Sequence, residues 1–323
     1  MRAVVIESSE LILRERPLPV PGKGEVRVRV RATAVNRADL IQVRGAYPAP
    51  PDAPADIPGL EFAGEIDEVG EGVSHLAVGD RVFGLAGGGT YAEAVVVHGA
   101  TLARLPGGLS FLEAAALPEA FITAYDAMVV QAGLSAGEVA LVHAVGSGVG
   151  SAAVQIARAV GATCVGTARA EDKLARAREL GMDHGVLVRD TRFAAGVLEA
   201  SSGRGADVVL DLVGGPYLPE SVACAAPKGR IMLVGLLGGT RTEVDLGAIL
   251  RRRLVLRGTV LRTRPLEEKI QAGKLLERNL GPLFARGALR PVIHRVFPLA
   301  RAAEAHALLA ENSGFGKLVL DCD

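Results

Sequence analysis

Two rhythms of apolar and polar residues divide the chain. Through the first third, apolar positions alternate with polar ones or run together briefly between turns, which is the spacing of β-strands. RAVVI, EVRVRVRATAV, FAGEIDEVG, GDRVFGL and YAEAVVV carry this pattern, and PLPVPGKGE reads as the loop joining the first two. RADLIQVRG shifts to helical spacing and stops at Gly45. The proline-rich run that follows, residues 46–58, lacks the N–H groups for a helix or a central strand and is expected as a loop.

At about Ser110 the rhythm lengthens. SFLEAAALPEAFITAYDAMVVQAG reads as helix with a break at Pro118. From EVALVHA onward, short apolar runs (ATCVGT, GVLV, ADVVLDLV, RIMLVGL, LVLRGTVL) alternate with amphipathic stretches such as GVGSAAVQIARAVG and EDKLARARELG. Apolar strands separated by helices predict a parallel sheet covered on both faces. Two more helical stretches, PLEEKIQAGKLLERNL and LARAAEAHALLAEN, precede a closing strand, KLVLDC. The fold class expected is α/β, with a β-rich part and a doubly wound part.

The alternating region opens on HAVGSGVG, residues 143–150. A strand, a glycine-rich turn and a helix N-terminus make an anion site, because free N–H groups and the helix dipole both favour a pyrophosphate. The glycine spacing is irregular: counted from Gly146 the third position falls on Ser151, and counted back from Gly150 the first two fall on Val145 and Ser147. Context supports the site all the same. The turn follows one apolar strand directly, opens a helix and is followed by a second strand, the order of a dinucleotide-binding βαβ unit. Gly146, Ser147, Gly148, Val149 and Gly150 are therefore the expected pyrophosphate turn.

The end of the second strand is Thr167-Ala168, where a site built for NAD carries Asp or Glu to accept from the ribose hydroxyls. A small residue there makes room for a 2′-phosphate, and Arg169 and Lys173 can pair with it. This predicts NADPH over NADH, although Glu171 and Asp172 soften the local charge. Gly214, Gly235 and Leu236 follow later strands of the same sheet, in loops that line the cofactor crevice of such folds. His143 ends a strand and is expected to be packed rather than catalytic.

Composition narrows the class. A chain of 323 residues suggests two domains, and 49% apolar with 22% charged residues is an ordinary globular profile. Lys plus Arg and Asp plus Glu both number 36, so no net charge points to nucleic acid or to a membrane surface. The start has no apolar stretch before a cleavage site, and no apolar run reaches membrane-spanning length. Three scattered cysteines and six scattered histidines form neither a disulfide framework nor a metal-ligand cluster. A reduced, cytoplasmic protein is expected.

NRADLIQVRGAYPAPP, PGLEFAGEIDEVGEGV, VGDRVFGLAGGGTYAEAVVV, LPEAFITAYDAM, HAVGSGVGSAAVQIAR, LDLVGG and FGKLVLD together resemble the zinc-free quinone oxidoreductases of the medium-chain dehydrogenase/reductase superfamily. The likeness covers essentially the whole chain. Its NRADL…GAY and PEAFITAY segments look closest to the p53-inducible quinone-oxidoreductase-like branch, whose turn also carries Ser before Gly-Val-Gly. The resemblance implies a GroES-like catalytic domain over 1–122, completed by 263–323, and a Rossmann NADPH-binding domain over 123–262. It implies a homodimer or homotetramer as well.

Zinc-dependent relatives hold a catalytic zinc with Cys, His and a carboxylate. At the matching places stand Asn36 and Leu60, and Glu61 alone does not make a metal site. The resemblance also places Asn36, Tyr47 and Thr123 beside the nicotinamide or acceptor, Ser147 at the cofactor and Lys317 near it. Without a Lewis acid, alcohol oxidation is disfavoured, and reduction of an electron-poor acceptor is the easier reaction. The leading expectation is NADPH-dependent quinone reduction, in the family also by single electrons that give semiquinones. Two alternatives stay open: a 2-alkenal or enone double-bond reductase, and an NADPH-binding or redox-sensing protein with little turnover.

Overall fold

The longest alternating run, EVRVRVRATAV, becomes the strand around which the first part of the chain is organised. The computed structural model describes residues 1–323 and divides them into two units, Met1–Ile122 with Leu261–Asp323, and Thr123–Val260. In the first unit the strands are β1 (Arg2–Glu7), β2 (Glu10–Glu15), β3 (Glu25–Val35), β4 (Glu61–Val69), β5 (Arg81–Leu85), β6 (Ala94–His98) and β7 (Ala103–Arg104). The second unit contributes β8 (Val139–Val142), β9 (Thr163–Ala168), β10 (His184–Leu187), β11 (Ala206–Asp211), β12 (Ala225–Leu233) and β13 (Val255–Gly258). The chain then returns to the first unit with β14 (Ile293–Pro298) and β15 (Lys317–Asp321).

The seven-stranded sheet of the first unit runs β14-β15-β3-β4-β5-β7, and β6 pairs with β3 off that path. Alternation along β3 turns Val26, Val28 and Val30 into a core with Phe62, Ile66 and Tyr91, all essentially inaccessible. Helix Arg37–Val43 follows β3 directly, and the Asn36 N–H at its start donates to Asp39 Oδ2 at 2.7 Å. The proline-rich loop is pinned rather than loose. Gln42 Nε2 donates to the Ala55 carbonyl, Arg16 pairs with Asp56 at 2.8 Å, and Lys269 pairs with Asp52 at 2.7 Å.

The second unit is a six-stranded parallel sheet in the order β10-β9-β8-β11-β12-β13. Strand order reverses at β8, so the carboxyl ends of β8, β9 and β11 open a crevice where ligands of such folds bind. Leu141, Val165, Val209 and Ile231 form its core. His143 lies inside it. Its ring nitrogens meet Thr167 Oγ1 at 2.9 Å and Ser221 Oγ at 3.0 Å, and burial holds its pKa down at about 3.

Two strands, β2 and β14, have no clear signature in the sequence. β1 and β2 join through Ser8 and Ser9, both at positive φ, as a two-residue hairpin turn needs, whereas Asn or Gly is the usual signal. β14 buries only Phe297 fully, so its apolar positions do not alternate. The long helical stretch does break at its proline, into Phe111–Ala115 and Pro118–Tyr125, followed by a π-helical turn over Asp126–Gln131.

Arg230 on β12 knots the second unit together. Its guanidinium forks onto Glu138 with two 2.8 Å bonds and also reaches the carbonyls of Ala132, Gly133 and Asp207. That hydrogen bonding holds the Glu138 carboxyl below its usual range. Arg230→Met is expected to cost about 2–3 kcal/mol in denaturant unfolding, since it strands a carboxylate and three carbonyls. A carboxylate with a depressed folded-state pKa stabilises above its unfolded value of 4.5 and loses that contribution as pH falls through the folded one. The gap between wild type and variant should therefore narrow in acid.

Candidate functional site

The register of β15 against β3 sets the polar centre of the first unit. Leu318 pairs with Val35, which delivers Lys317 beside Asn36, and Lys317 is buried at 5% exposure. Its ammonium donates to Asn36 Oδ1 at 2.6 Å and to the Val35 carbonyl at 3.0 Å, and pairs with Glu61 Oε1 at 2.6 Å. Asn36 Nδ2 donates to the same Glu61 oxygen at 2.8 Å, and the Glu119 backbone N–H donates to Glu61 Oε2 at 2.8 Å. Glu61 itself is fully inaccessible. A buried carboxylate is sustained only by such pairing and hydrogen bonding.

This arrangement bears on metal binding through its donors. Leu60 has no ligating atom, Asn36 spends its amide on Glu61 and Lys317, and the carboxylate of Glu61 is already neutralised by an ammonium. No group of three or more His, Cys, Asp or Glu side chains is placed to hold a metal ion.

A second layer backs the first. Asp39 accepts from the Asn36 and Gly59 N–H groups and from the Tyr91 hydroxyl, whose oxygen also lies 3.0 Å from His306 Nε2. Burial raises Asp39 to about 6, against the lowering pull of those bonds and of Lys317, and depresses His306 to about 4.

Tyr47 stands apart from this cluster, in the proline-rich loop of the same unit. Its ring lies under the Arg262 guanidinium at 4.9 Å, and its carbonyl accepts from Arg262 Nη1. Arg262 also donates to the Gly87 carbonyl and to Gln42 Oε1, so Leu261 and Arg262 group with the first unit. Burial raises the Tyr47 hydroxyl's pKa and keeps it protonated. Glu119, Arg262 and Leu60 line a small pocket with Leu85, Ile122 and Leu261, a cavity of about 30 Å³ that opens to solvent.

In the second unit the turn after β8 is shaped for close approach. Ala144 sits at φ 52°, and Ser147 caps helix Gly148–Val160 by accepting from the Gly150 N–H while donating to the Ala144 carbonyl. A Cβ on Gly150 would fall 2.3 Å from the Ala144 oxygen. Ala168 ends β9 buried, Arg169 is exposed beyond it, and Lys173 follows on helix Glu171–Glu179. At the ends of β11 and β12, Gly214 has φ +64°, and a Cβ on Gly235 would meet the Leu212 oxygen at 2.6 Å. Leu236 is exposed beside it.

Two buried oxygens in this unit have no partner: Thr123 Oγ1 and Asp211 Oδ2. The other Asp211 oxygen accepts from the Val213 and Gly214 N–H groups at 2.8 Å. Orphaned acceptors of this kind call for donors from outside. Together with the glycine-paved strand ends and the capped helix N-terminus, they fit a dinucleotide rich in hydroxyl groups.

Asn36 and Lys317 thus bond directly and share Glu61, Tyr47 packs on Arg262 in the same unit, and the remaining expected residues lie in the second unit. Glu119, Arg262 and Asp211 escaped the sequence reading. A lone acid inside LPEAF, and another closing the apolar run DVVLD, were the signals available for two of them. Nothing local marks Arg262 among its neighbouring arginines.

Residues 22–107 match the model of the alcohol dehydrogenase GroES-like domain, and residues 148–278 match that of the zinc-binding dehydrogenases. A quinone oxidoreductase of Pseudomonas aeruginosa is 36% identical over 90% of this chain and 88% of its own length. The Escherichia coli quinone oxidoreductase, solved in complex with NADPH, superposes with a TM-score of 0.89 at 26% identity over the full length of both chains. The CurK enoyl reductase superposes at 0.86 with 29% identity over 99% of each. The chain also aligns at 36% identity with polyketide synthase GfsB of Streptomyces halstedii, spanning only 5% of that protein's length. No helix is long and apolar enough to cross a membrane. With the two-unit fold and a polar centre built on an ammonium, these likenesses make the chain an oxidoreductase of the quinone oxidoreductase family, within the medium-chain dehydrogenases/reductases.

Proposed function

We propose that this protein reduces quinones with NADPH and without a metal. The observation that carries the reading is the pairing of Lys317 with Glu61 and Asn36, which seats a side-chain cation where metal-dependent relatives need open ligands. Bound NADPH supplies a hydride equivalent. The turn over Gly146, Ser147, Gly148, Val149 and Gly150 would hold its pyrophosphate at the start of helix Gly148–Val160. Ala168 leaves room for a 2′-phosphate, and Arg169 and Lys173 supply charge for it. Gly214, Gly235 and Leu236 would line the nicotinamide half, with Thr123 Oγ1 and Asp211 Oδ2 accepting from its polar groups. Asn36, its amide committed to Lys317 and Glu61, would position that pair at the acceptor site, and Tyr47, oriented by Arg262, would serve the acceptor as a hydrogen-bonding group.

A second reading has its own support. The match to the CurK enoyl reductase favours a reductase of conjugated double bonds on the same scaffold. Anaerobic NADPH consumption, with an ortho-quinone and a 2-alkenal in parallel and NADH as control, separates the two. Fast turnover with the quinone and a clear NADPH preference are expected. Turnover with the alkenal alone would transfer the assignment to a double-bond reductase. Binding without reduction of either would leave a cofactor-binding protein.

Arg169→Ala is expected to weaken NADPH binding by about tenfold while leaving NADH binding unchanged, as removal of one phosphate-pairing cation should. Fluorescence titration with both cofactors reads this directly, and equal losses for the two would refute the assignment.

A further inference from the structure

The pocket of the first unit holds a carboxyl that nothing else uses. Glu119 lies in the first turn of helix Pro118–Tyr125, and its backbone N–H is committed to Glu61. Its side chain lines the pocket, half-buried, and makes no hydrogen bond or ion pair of its own. Most carboxylates nearby are spoken for: Glu61 by Lys317 and Asn36, Asp39 by Tyr91 and two N–H groups. An unpaired acid facing an apolar-walled pocket is the arrangement that keeps a carboxyl neutral and able to donate.

The charges around it agree. Burial and the Glu61 carboxylate, with a smaller push from Asp39, raise Glu119 to about 8, while Lys317 and Arg262 pull the other way. Lys317 is neutralised by Glu61 at 2.6 Å, and Arg262 is tied to the Gly87 and Tyr47 carbonyls and to Gln42. Arg264 and Lys269 line the same pocket and have carboxylate partners in Glu268 and Asp52. At neutral pH the proton therefore stays on Glu119.

We propose that Glu119 is a catalytic proton donor, its carboxyl O–H bonding the acceptor's carbonyl oxygen in this pocket and passing its proton there as the acceptor is reduced. The inference rests on the NADPH-dependent reduction proposed above. Bound NADPH would supply the hydride, and the conjugated acceptor would take both electrons. The Glu119 O–H bond breaks, an O–H bond forms on the acceptor oxygen, and the Glu119 carboxylate recovers a proton from solvent. One hydride and one proton are consumed per acceptor, which balances for a quinone and for an enone alike.

Infrared difference spectra of the wild type, with E119Q as the reference, test the proton without turnover. A protonated carboxyl band at neutral pH is expected, disappearing with a midpoint near 8 and absent from E119Q. In steady state, E119Q should lower kcat by about 100-fold with KM changed only a few-fold, since the amide still donates a hydrogen bond but cannot yield a proton. The wild-type kcat should fall above the same midpoint, and that limb should vanish in the variant. Thermal unfolding of E119Q checks that the fold survives. Absence of the band overturns the proposal even where quinone turnover is normal, and so does wild-type kcat in E119Q. Failure of the wild type to reduce any acceptor, with the band present, overturns the activity and with it this proton transfer.

Discussion

The salt bridge between Lys317 and Glu61 is the contact through which the far end of the chain completes the centre of the first unit. β15 lies antiparallel to β3, and its first residue reaches the point where β3 gives way to the helix carrying Asp39. A buried pair of this kind adds little net stability, because desolvation offsets most of the attraction. What it fixes is geometry. Glu61 collects the ammonium, the Asn36 amide and the Glu119 backbone N–H, and so ties β15, the β3–helix junction, β4 and helix Pro118–Tyr125 to one carboxylate. Removal of either partner would strand a charge, at a cost of about 3–5 kcal/mol.

From that knot follows a division of labour among acids. Glu61 is saturated, Asp39 is held by backbone N–H groups and the Tyr91 hydroxyl, and Glu119 is left to the pocket. Three carboxyl groups in one neighbourhood thus have three environments, which is how a protein separates structural acids from a chemical one. The second unit shows the complementary economy. Ser147 and Gly150 close the turn on themselves, while Thr123 and Asp211 keep one oxygen each in reserve.

Much of this was legible in the sequence, for physical reasons that can be named. Period-two alternation marks β3, and the apolar runs of β8, β9, β11 and β12 mark a sheet buried on both faces, because burial acts directly on those positions. HAVGSGVG stood out in the sequence as a candidate anion turn despite its spacing, and within it a Cβ on Gly150 would collide with the Ala144 oxygen. The polar centre was harder to read. Lys317 looks like a solvated strand residue until the β15 register is known, and its partner Glu61 lies some two hundred and fifty residues away in the chain. Arg262 and Glu119 acquire meaning only from a pocket assembled by tertiary folding. The Ser8-Ser9 hairpin escaped because the backbone there takes positive φ without the residues that usually announce it.

In the proposed site the Lys317 ammonium stands where a metal ion would otherwise be held. The most direct test is quinone-dependent NADPH oxidation by protein stripped with a strong chelator, with metal content measured before and after. Undiminished turnover in metal-free protein, and no gain on adding zinc, is expected. Turnover that disappears on stripping and returns with stoichiometric zinc would contradict this assignment.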